Sequence, residues 1–411
     1  MRPGLACCRR SRGAAHRRHK QQHPSAGAAS SASFHSNSRR GRAKRAQAYS
    51  ARPASLSDAD AILSIPQWQG ADPACRARYL DGGTELAEAL SKKFPELQYF
   101  SVAVDPEETE SGQELCASLG EQQLVAAAML RAMVPQRCIT IGGDCSVEPA
   151  PIGYFNEQYD GRMCVLWLDA HGDLNSPQTS ASGRYHGMAL RGLIEPEFWP
   201  GGVEVAPRPL LPSQIVLAGA RGGGGPSAPG VIAGLDRTGM QVAPGGSSLD
   251  QPEVDFIQQH GLRAVTAASI EMARWPVMAE LMAAGLRQKR TKLYVHLDLD
   301  VLDPSSFPHV CVPEDGGLSL ETLLGLLKGP ALNPLGEPSG RTHWENPLPI
   351  LPSVEVVPAA LPGVNSMFGD RLVGLSVTEC APSAGTTEQQ RADAHAVVTK
   401  CVETLFAGQD D

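Results

Sequence analysis

Short apolar runs, each followed at once by polar residues, recur along the chain. A strand buried on both faces is apolar throughout, so these runs predict β-strands. The four that precede polar clusters end at Ile141, Leu168, Leu297 and Val377. Because helical segments separate them, we predict an α/β fold with a mainly parallel central sheet and helices on both faces. The polar clusters lie at the carboxyl ends of the strands, where such sheets bind their ligands.

The same patterns outline the remaining elements. Strands are predicted at 97–104, 138–141, 164–168, 214–218, 292–297 and 372–377. Helices are predicted at 55–61, 83–94, 115–133, 188–193, 254–260, 276–288, 320–327 and 387–406, with a helix or turn at 149–158. Ser319 is the predicted cap of the helix that follows it, because a serine oxygen there accepts a hydrogen bond from the first turn.

Composition divides the 411 residues into a leader and one domain. Residues 1–57 are rich in Arg, Ser and Ala and are predicted to be a transit peptide or disordered. Residues 58–411 are predicted to form a single domain. Two stretches within it, near 222–247 and 329–369, are low in periodicity and rich in Gly or Pro, so we expect them to be low-complexity insertions.

Charge is unevenly distributed between these parts. The leader carries 13 of the 36 Lys and Arg and no Asp or Glu, which leaves 23 basic against 44 acidic residues, a net charge of −21. The composition of this leader predicts import into an organelle, either the chloroplast or the mitochondrion. The alternative is that the leader is an arm that binds nucleic acid. The acidic remainder argues against nucleic acid as a partner. Since no apolar run approaches the roughly 18 residues of a membrane helix, no membrane association is expected.

The segment WLDAHGDLNSPQTSASGRYHG, at 167–187, carries the strongest chemical signal. Asp169, His171 and Asp173 alternate directly after a buried strand, and residues spaced by two point the same way if the extended backbone continues. Two carboxylates and an imidazole that converge would be costly in a core but suit a divalent metal ion. A polar loop would explain one Asp but not the alternation, so we predict a metal site.

A second cluster, HLDLDVLDPSSFP, follows the same logic. Asp298 and Asp300 are spaced by two at a strand end and are predicted to face the same pocket. Asp303 precedes a proline and is interpreted as a structural turn residue. His296 lies within the strand, and we predict that it faces away from the ligand side.

Four motifs, in this order, resemble those of the arginase/agmatinase (ureohydrolase) family. They are GGDCS at 142–146, DAHGD at 169–173, HLDLDVLDP at 296–304 and a closing Glu379 in LSVTECAPS. The resemblance implies a three-layer α/β/α fold and a ureohydrolase-like catalytic domain at 58–411. It also implies a pair of Mn²⁺ ions, a small guanidino-type substrate and a homo-oligomer, either a trimer or a hexamer.

The resemblance further implies six metal ligands, two of which bridge both ions. They are Cys145 and Asp173 on the first ion, His171 and Asp300 on the second, and Asp169 and Asp298 between them. The implied reaction is the attack of a metal-bound hydroxide on the trigonal carbon of a guanidinium or amidine group, which releases urea and an amine.

The family pattern also implies roles in catalysis and binding. Asp173 would orient the nucleophile, and Glu379 would pair with the guanidinium through a bidentate contact. His186 resembles the family's proton shuttle, since the pKa of an imidazole suits proton transfer to the leaving amine.

The loop from 173 to 186 resembles the arginase version more than the agmatinase version. In arginases its Asn and Ser bind the α-carboxylate of the substrate, which implies that role for Asn175 and Ser182. Ordinary turn chemistry is the alternative for both. Asp250, in SSLDQPE, is the counterpart of an acidic segment that recognises the α-amino group, a segment that is not intact here.

Cys145 is the main departure, because the family usually carries His at that position of its GGDHS motif. A thiolate adds a negative charge where imidazole is neutral, and sulfur favours Zn²⁺, Fe²⁺ or Ni²⁺ over Mn²⁺. Three outcomes stay open: a dinuclear site with altered metal, a single-metal hydrolase, or a degenerate site. We expect that metal is still bound, because the other five ligand positions match.

Two other functions compete with a ureohydrolase. One is a formiminoglutamase-like or other linear amidine or amide hydrolase on the same scaffold. The other is a non-catalytic metal-binding relative that has lost turnover through Cys145. Glu379 favours a cationic substrate over a neutral amide, since an unpaired buried carboxylate is costly.

Overall fold

A computed structural model describes residues 56–105, 112–221, 248–328 and 363–406. These residues belong to one unit, Pro53–Asp411. The predicted leader, apart from its last two residues, and the predicted insertion at 222–247 lie outside the described residues. The same holds for 329–362, which is most of the second predicted insertion.

Eight parallel strands form one sheet in the order β2-β1-β3-β8-β7-β4-β5-β6. The strands are β1 Ala61–Ile65, β2 Gln98–Ser101, β3 Cys138–Gly142, β4 Met163–Leu168, β5 Ile215–Ala218, β6 Arg263–Val265, β7 Lys292–Asp298 and β8 Leu372–Thr378. The centre of the sheet is thus β3, β8, β7 and β4, the four strands that precede the polar clusters.

Helices cover both faces of the sheet. They are α1 Arg76–Lys93, α2 Gly112–Met133, α3 Pro149–Gln158, α4 Ala189–Ile194, α5 Gly202–Val205, α6 Gln251–His260, α7 Ala267–Met272, α8 Trp275–Leu281, α9 Leu320–Lys328, α10 Val364–Phe368 and α11 Glu388–Phe406. A π-helical turn, Met282–Leu286, follows α8.

Each face of the sheet has its own hydrophobic core. In β4, Leu166 and Leu168 belong to one core, whereas Val165 and Trp167 belong to the other, as the alternation of side chains along a strand requires. Helices α1, α8, α9 and α11 pack on the first face, and α2, α3, α4 and α6 pack on the second. The predicted three-layer α/β/α fold is therefore confirmed.

The predicted helix at 55–61 is wrong, because strand β1 begins at Ala61. The run AILSI is buried on both faces, and periodicity alone does not distinguish such a short run from part of a helix. Strand β6 and helix α7 were not predicted either. Strand β6 has only three residues, and two of them are half-buried, so it lacks a strong apolar signal.

Two local predictions are confirmed. Ser319 Oγ accepts a hydrogen bond from the Thr322 amide at 3.1 Å at the start of α9. Asp303 is a half-buried turn residue that accepts hydrogen bonds from the amides of Ser305 and Gly316, each at 3.0 Å. The prediction of a low-complexity insertion is wrong at its end, because Val364–Phe368 is helical. No helix among the described residues has both the length and the apolar character to span a bilayer.

Candidate metal centre and substrate pocket

The four central strands bring the polar clusters of the sequence to one place. Cys145 follows β3, Asp169 follows β4, Asp298 ends β7 and Glu379 follows β8. Because these strands are parallel neighbours, their carboxyl ends open on one cavity of about 200 Å³. The predicted site residues that line this cavity are Cys145, His171, Asp173, Asn175, His186, Asp250, Asp298, Asp300 and Glu379.

In the segments Asp298–Asp300 and Asp169–His171, the first side chain accepts a hydrogen bond from the backbone of its own segment. Asp298 Oδ1 accepts a hydrogen bond from the Asp300 amide at 2.7 Å, and Asp169 Oδ1 accepts one from the His171 amide at 2.6 Å. The two segments are also joined, since the Ala170 amide donates to Asp300 Oδ1 at 3.1 Å. Such Asx turns hold the carboxylates at the strand ends, directed into the pocket.

The potential ligand atoms fall into three overlapping groups, each within 4.8 Å. The groups are Cys145, Asp169, Asp173 and His296; Asp169, His171 and Asp300; and Cys145, Asp298 and Glu379. All six predicted metal ligands are thus brought together. We call the first group the buried side of the centre and the second group the open side.

His296 corrects the sequence analysis, which predicted that it faces away from the ligands. Its Nε2 atom lies 3.7 Å from Cys145 Sγ and 3.6 Å from Asp169 Oδ2, and the side chain is fully buried. The alternation that directs Asp298 into the pocket also applies to a residue two positions earlier on the same strand. The signal was therefore present in the sequence.

Crowding of acids dominates the electrostatics of this centre. Burial, together with the charge of Asp169, raises the pKa of Asp173 well above its usual range, and burial with Asp300 and Asp169 does the same for Asp298. Burial and Asp298 likewise raise the pKa of the Cys145 thiol, which donates to Asp298 Oδ2 at 2.8 Å. A cation would relieve this repulsion.

The pocket residues fit a pair of metal ions by a direct structural criterion. Asp173 Oδ2 and Glu379 Oε1 are buried, and neither has a hydrogen-bond partner among the described residues. A buried carboxylate oxygen without a partner is costly unless a cation or a donor meets it. The surrounding donors, which are carboxylates, two imidazoles and a thiol, are the groups that divalent transition metals bind.

Backbone strain coincides with these two carboxylates. Asp173 has φ +50° and Glu379 has φ +65°, in the left-handed region that non-glycine residues rarely adopt. Only two other non-glycine residues of the described part of the chain, Val134 and Asp160, have positive φ. Such strain persists where the surrounding structure enforces it, and it concentrates at functional sites.

His186 and Glu379 face each other across the pocket. His186 Nδ1 lies 3.7 Å from Glu379 Oε1. Burial lowers the pKa of His186, but Glu379 and Asp144 together raise it above its usual value. Tyr79 of α1 donates its hydroxyl proton to Glu379 Oε2, a contact that the sequence analysis missed because 300 residues separate the two in sequence.

The three predicted substrate-binding residues of the loops are placed differently. Asn175 and Asp250 line the pocket and are joined by a hydrogen bond of 2.9 Å from Asn175 Nδ2 to Asp250 Oδ2. Asp250 also caps α6 through the Glu253 amide at 3.0 Å. Ser182 is exposed, contacts its own turn through the Arg184 amide at 3.2 Å and does not line the cavity.

Comparisons with known proteins agree with this architecture. Residues 105–335 match the family model described as the Arginase family. The arginase of Bacillus caldovelox is 30% identical over 184 residues, which are 44% of this chain and 52% of that protein. The arginase of Coccidioides posadasii is 26% identical over 224 residues, 53% of this chain and 61% of that protein. The chain thus spans about half the length of the curated relatives it matches.

Solved structures share the fold at lower identity. Entamoeba histolytica arginase superimposes with a TM-score of 0.60 at 18% identity, covering 86% of this chain and 99% of that structure. The formimidoylglutamase of Bacillus subtilis superimposes with a TM-score of 0.50 at 16% identity, covering 85% and 87%. At these identities the likeness establishes the fold alone.

Proposed function

The chain belongs to the arginase family, and from this premise we propose that it is a metal-dependent hydrolase of linear amidines. Its substrate is a small guanidino or amidine compound, whose C–N bond it cleaves to release urea, or the corresponding amide, and an amine. We further propose an organelle location, chloroplast or mitochondrion, and a trimer or hexamer.

One observation carries the choice of substrate. Glu379 is 3% exposed, and its Oε1 atom has no hydrogen-bond partner among the described residues, whereas Tyr79 occupies Oε2. A planar guanidinium or amidinium donates parallel N–H groups to a carboxylate and would satisfy that oxygen. A neutral amide would form no charge-assisted hydrogen bond to Oε1, which otherwise faces the His186 imidazole at 3.7 Å. Glu379 therefore supports a cationic substrate.

Two divalent cations in the centre would lower the pKa of water and supply a nucleophile near neutral pH. The protein's own contribution is to hold the substrate and to orient the attacking water. Asp173 lines the pocket, so its carboxylate can accept a hydrogen bond from the attacking water. Glu379 would fix the cationic carbon of the substrate opposite that water, which is the positioning that lowers the entropic barrier.

His186 is the proposed proton carrier. It lines the pocket, its side chain is 26% exposed, and its Nδ1 atom is 3.7 Å from Glu379 Oε1. Glu379 and Asp144 raise the pKa of the imidazole, which favours the protonated form that can deliver a proton to the leaving amine. Its partial exposure allows the proton to be replaced from solvent.

The remainder of the substrate would meet Asn175 and Asp250 at the pocket wall. A carboxylate of Asp250 suits an amino group, and the Asn175 amide suits a polar substituent. Ser182, which we predicted as a third contact, would reach the substrate only if its turn moved towards the cavity. The metals are Mn²⁺ by family resemblance, with Zn²⁺, Fe²⁺ or Ni²⁺ as alternatives because of Cys145.

The test is product release from a substrate panel by the full chain reconstituted with each metal. The panel is arginine, agmatine, guanidinobutyrate, guanidinopropionate, free guanidine, formiminoglutamate and a neutral acyl amide. We expect urea from at least one guanidino compound. Product only from formiminoglutamate or the amide would support the other hydrolase function, and no product from any compound, with metal bound, would support the non-catalytic relative.

Glu379→Gln is the matched variant, because it preserves shape and removes the charge. It should weaken urea release by roughly 10²–10³-fold, since removal of one partner of a buried charge pair costs about 3–5 kcal/mol. Equal activity of the variant would contradict the proposed role of Glu379. Glu388→Gln, an exposed change in the first turn of α11, controls for the loss of a carboxylate elsewhere.

A further inference from the structure

His296 is surrounded on its Nε2 side by groups that bind metals. Cys145 Sγ is 3.7 Å away and Asp169 Oδ2 is 3.6 Å away. Asp173 completes a group of four donors within 4.8 Å of one another. All four side chains are at most 4% exposed, so bulk water does not satisfy them.

Two of the separations within this group, 3.7 Å and 3.6 Å, are close to those between donors around a tetrahedral ion. Zinc-type bonds are about 2.0–2.2 Å to nitrogen and oxygen and about 2.3 Å to sulfur, which places adjacent donors about 3.3–3.6 Å apart at the tetrahedral angle. The observed 3.6 and 3.7 Å need only a small contraction around an ion.

The far side of the ring is already held in the arrangement typical of metal-binding histidines. His296 Nδ1 lies 2.7 Å from Glu148 Oε1, and Glu148 Oε2 accepts a hydrogen bond from Ser376 at 2.9 Å. Trp167 stacks on the imidazole with ring centroids 3.7 Å apart. A proton on Nδ1 that is donated to Glu148 leaves the lone pair of Nε2 directed at Cys145 and Asp169.

A buried ion pair is the competing explanation, in which a protonated His296 neutralises Glu148 and Asp169. That arrangement would satisfy Asp169 but would leave Asp173 Oδ2, in the same group, without a partner among the described residues. An ion at the centre of the group satisfies all four side chains at once. The unpartnered oxygen therefore favours a metal ion.

We propose that His296 is a ligand of the ion on the buried side, together with Cys145, Asp169 and Asp173, and that Glu148 positions its ring. His296 thereby supplies the imidazole that the family motif usually carries at position 145. This proposal adds a ligand to the site of the proposed function. It rests on that function in one respect, which is that both require metal at this centre.

The donor set predicts which metal binds where. Sulfur, nitrogen and two oxygens in a tetrahedron suit Zn²⁺, and also Co²⁺ as a spectroscopic probe, better than Mn²⁺. The open side offers His171, Asp300 and Asp169, with nitrogen and oxygen donors only, which suit Mn²⁺. The centre would therefore be asymmetric.

The experiment is a Co²⁺ titration of the metal-depleted full chain, followed by optical absorption and elemental analysis. Wild type should show a thiolate-to-cobalt charge-transfer band and the intense visible absorption of a tetrahedral site. His296→Ala should weaken the binding of that ion by roughly 100-fold or more and lose the tetrahedral spectrum, because even an outer partner of a metal site is worth about 10–100-fold in affinity. Glu148→Gln should weaken Co²⁺ binding by about 10–100-fold and keep the charge-transfer band.

His395→Ala is the matched control, a half-buried histidine of α11 whose nearest acid is Glu85 rather than any pocket residue. It should bind Co²⁺ like the wild type. The double variant Cys145→His with His296→Ala moves the imidazole to position 145, so it should bind the ion again and lose the charge-transfer band. It also tests the proposal if His296→Ala does not fold.

Wild-type affinity and an unchanged spectrum in His296→Ala would overturn the proposal. So would a double variant that folds and binds no better than His296→Ala. Either outcome is distinct from failure of the proposed function, because Co²⁺ binding is measured without turnover. Metal bound through His296 with no product from any substrate would contradict the function and leave the ligand assignment intact.

Discussion

The two sides of the metal centre differ in how they meet solvent. On the buried side, the His296 and Glu148 side chains are 0% exposed and lie beneath the carboxyl ends of the strands. On the open side, the His171 side chain is 28% exposed, and its Nε2 atom faces Glu314 at 3.9 Å. Its Nδ1 atom lies 3.0 Å from Asp300 Oδ2. One side is part of the core and the other is part of the pocket wall.

The difference bears on the role that we propose for Cys145. On the open side, water and substrate can complete a coordination sphere, so the motif residues are sufficient. On the buried side, every polar atom must find its partner within the protein. In our proposal, Cys145 therefore shares its ion with another internal group, His296, whose ring Glu148 positions.

The largest expected effect comes from the residue that both sides share. Asp169→Asn should lose both ions and reduce urea release by roughly 10²–10³-fold, because it removes a buried charge that belongs to both donor groups. Elemental analysis and product release measure this. Retention of either ion at wild-type affinity would show that Asp169 does not join the two sides.

A change on the open side should separate the two ions. His171→Ala should weaken the open-side ion by roughly 100-fold, since even an outer partner of a metal site is worth about 10–100-fold. It should leave the thiolate-to-cobalt band intact, because Cys145 belongs to the buried side. Loss of that band in a folded variant would contradict the division of the centre.

Glu253 supports the backbone next to Asp173 and predicts a pH effect. Its Oε1 atom accepts a hydrogen bond from the Leu174 amide at 3.2 Å, next to Asp173. Burial, then the charge of Asp250, raise its pKa from 4.5 to about 7. Between these values the folded chain holds a proton that the unfolded chain releases, so the stability contributed by Glu253 falls as the pH rises from 4.5 through 7.

In the Glu253→Gln variant the side chain is neutral at every pH, so the stability of the variant does not fall in this way as the pH rises. Relative to wild type, the free energy of unfolding of the metal-depleted variant should rise by up to about 3 kcal/mol between pH 4.5 and 8. Denaturant unfolding in a chelator across this range measures it. Glu88→Gln, at an exposed site on α1, should show no such trend, and a pH-independent difference for Glu253→Gln would contradict the prediction.

The smallest effects concern the loop above the open side. Asn175→Ala should raise KM by up to about 10-fold, because it removes a contact worth roughly 1–1.5 kcal/mol that positions Asp250. Ser182→Ala should change KM by less than about 2-fold, as is typical of an exposed residue outside the pocket. Steady-state kinetics on the best substrate measure both. A larger effect of Ser182→Ala would show that its turn closes over the substrate.

The sequence predicted the centre of the fold better than its edges. Strands β3, β4, β7 and β8 were predicted to within one residue at their carboxyl ends, because they are buried on both faces and stop at polar clusters. Strand β1 stops at no such cluster and strand β6 has only three residues, and neither was recognised. Their place in the sheet depends on pairing with distant strands.

The site divides in the same way. Ligands spaced by two residues at the end of one strand were predicted, because their relative direction follows from the short stretch of sequence that contains them. Glu148 and Tyr79 were not, since they reach their partners His296 and Glu379 across 148 and 300 residues of sequence. Only the folded chain brings such partners together, and they include the His296 and Glu148 side chains that lie near Cys145.

Anomalous diffraction from crystals loaded with Zn²⁺ and Mn²⁺ tests the central claim most directly. We predict two ions, with a zinc peak about 2.0–2.3 Å from both His296 Nε2 and Cys145 Sγ. We predict the manganese peak beside His171 and Asp300. A structure with His296 still between Glu148 and Asp169, and no metal bonded to its Nε2 atom, would contradict the account.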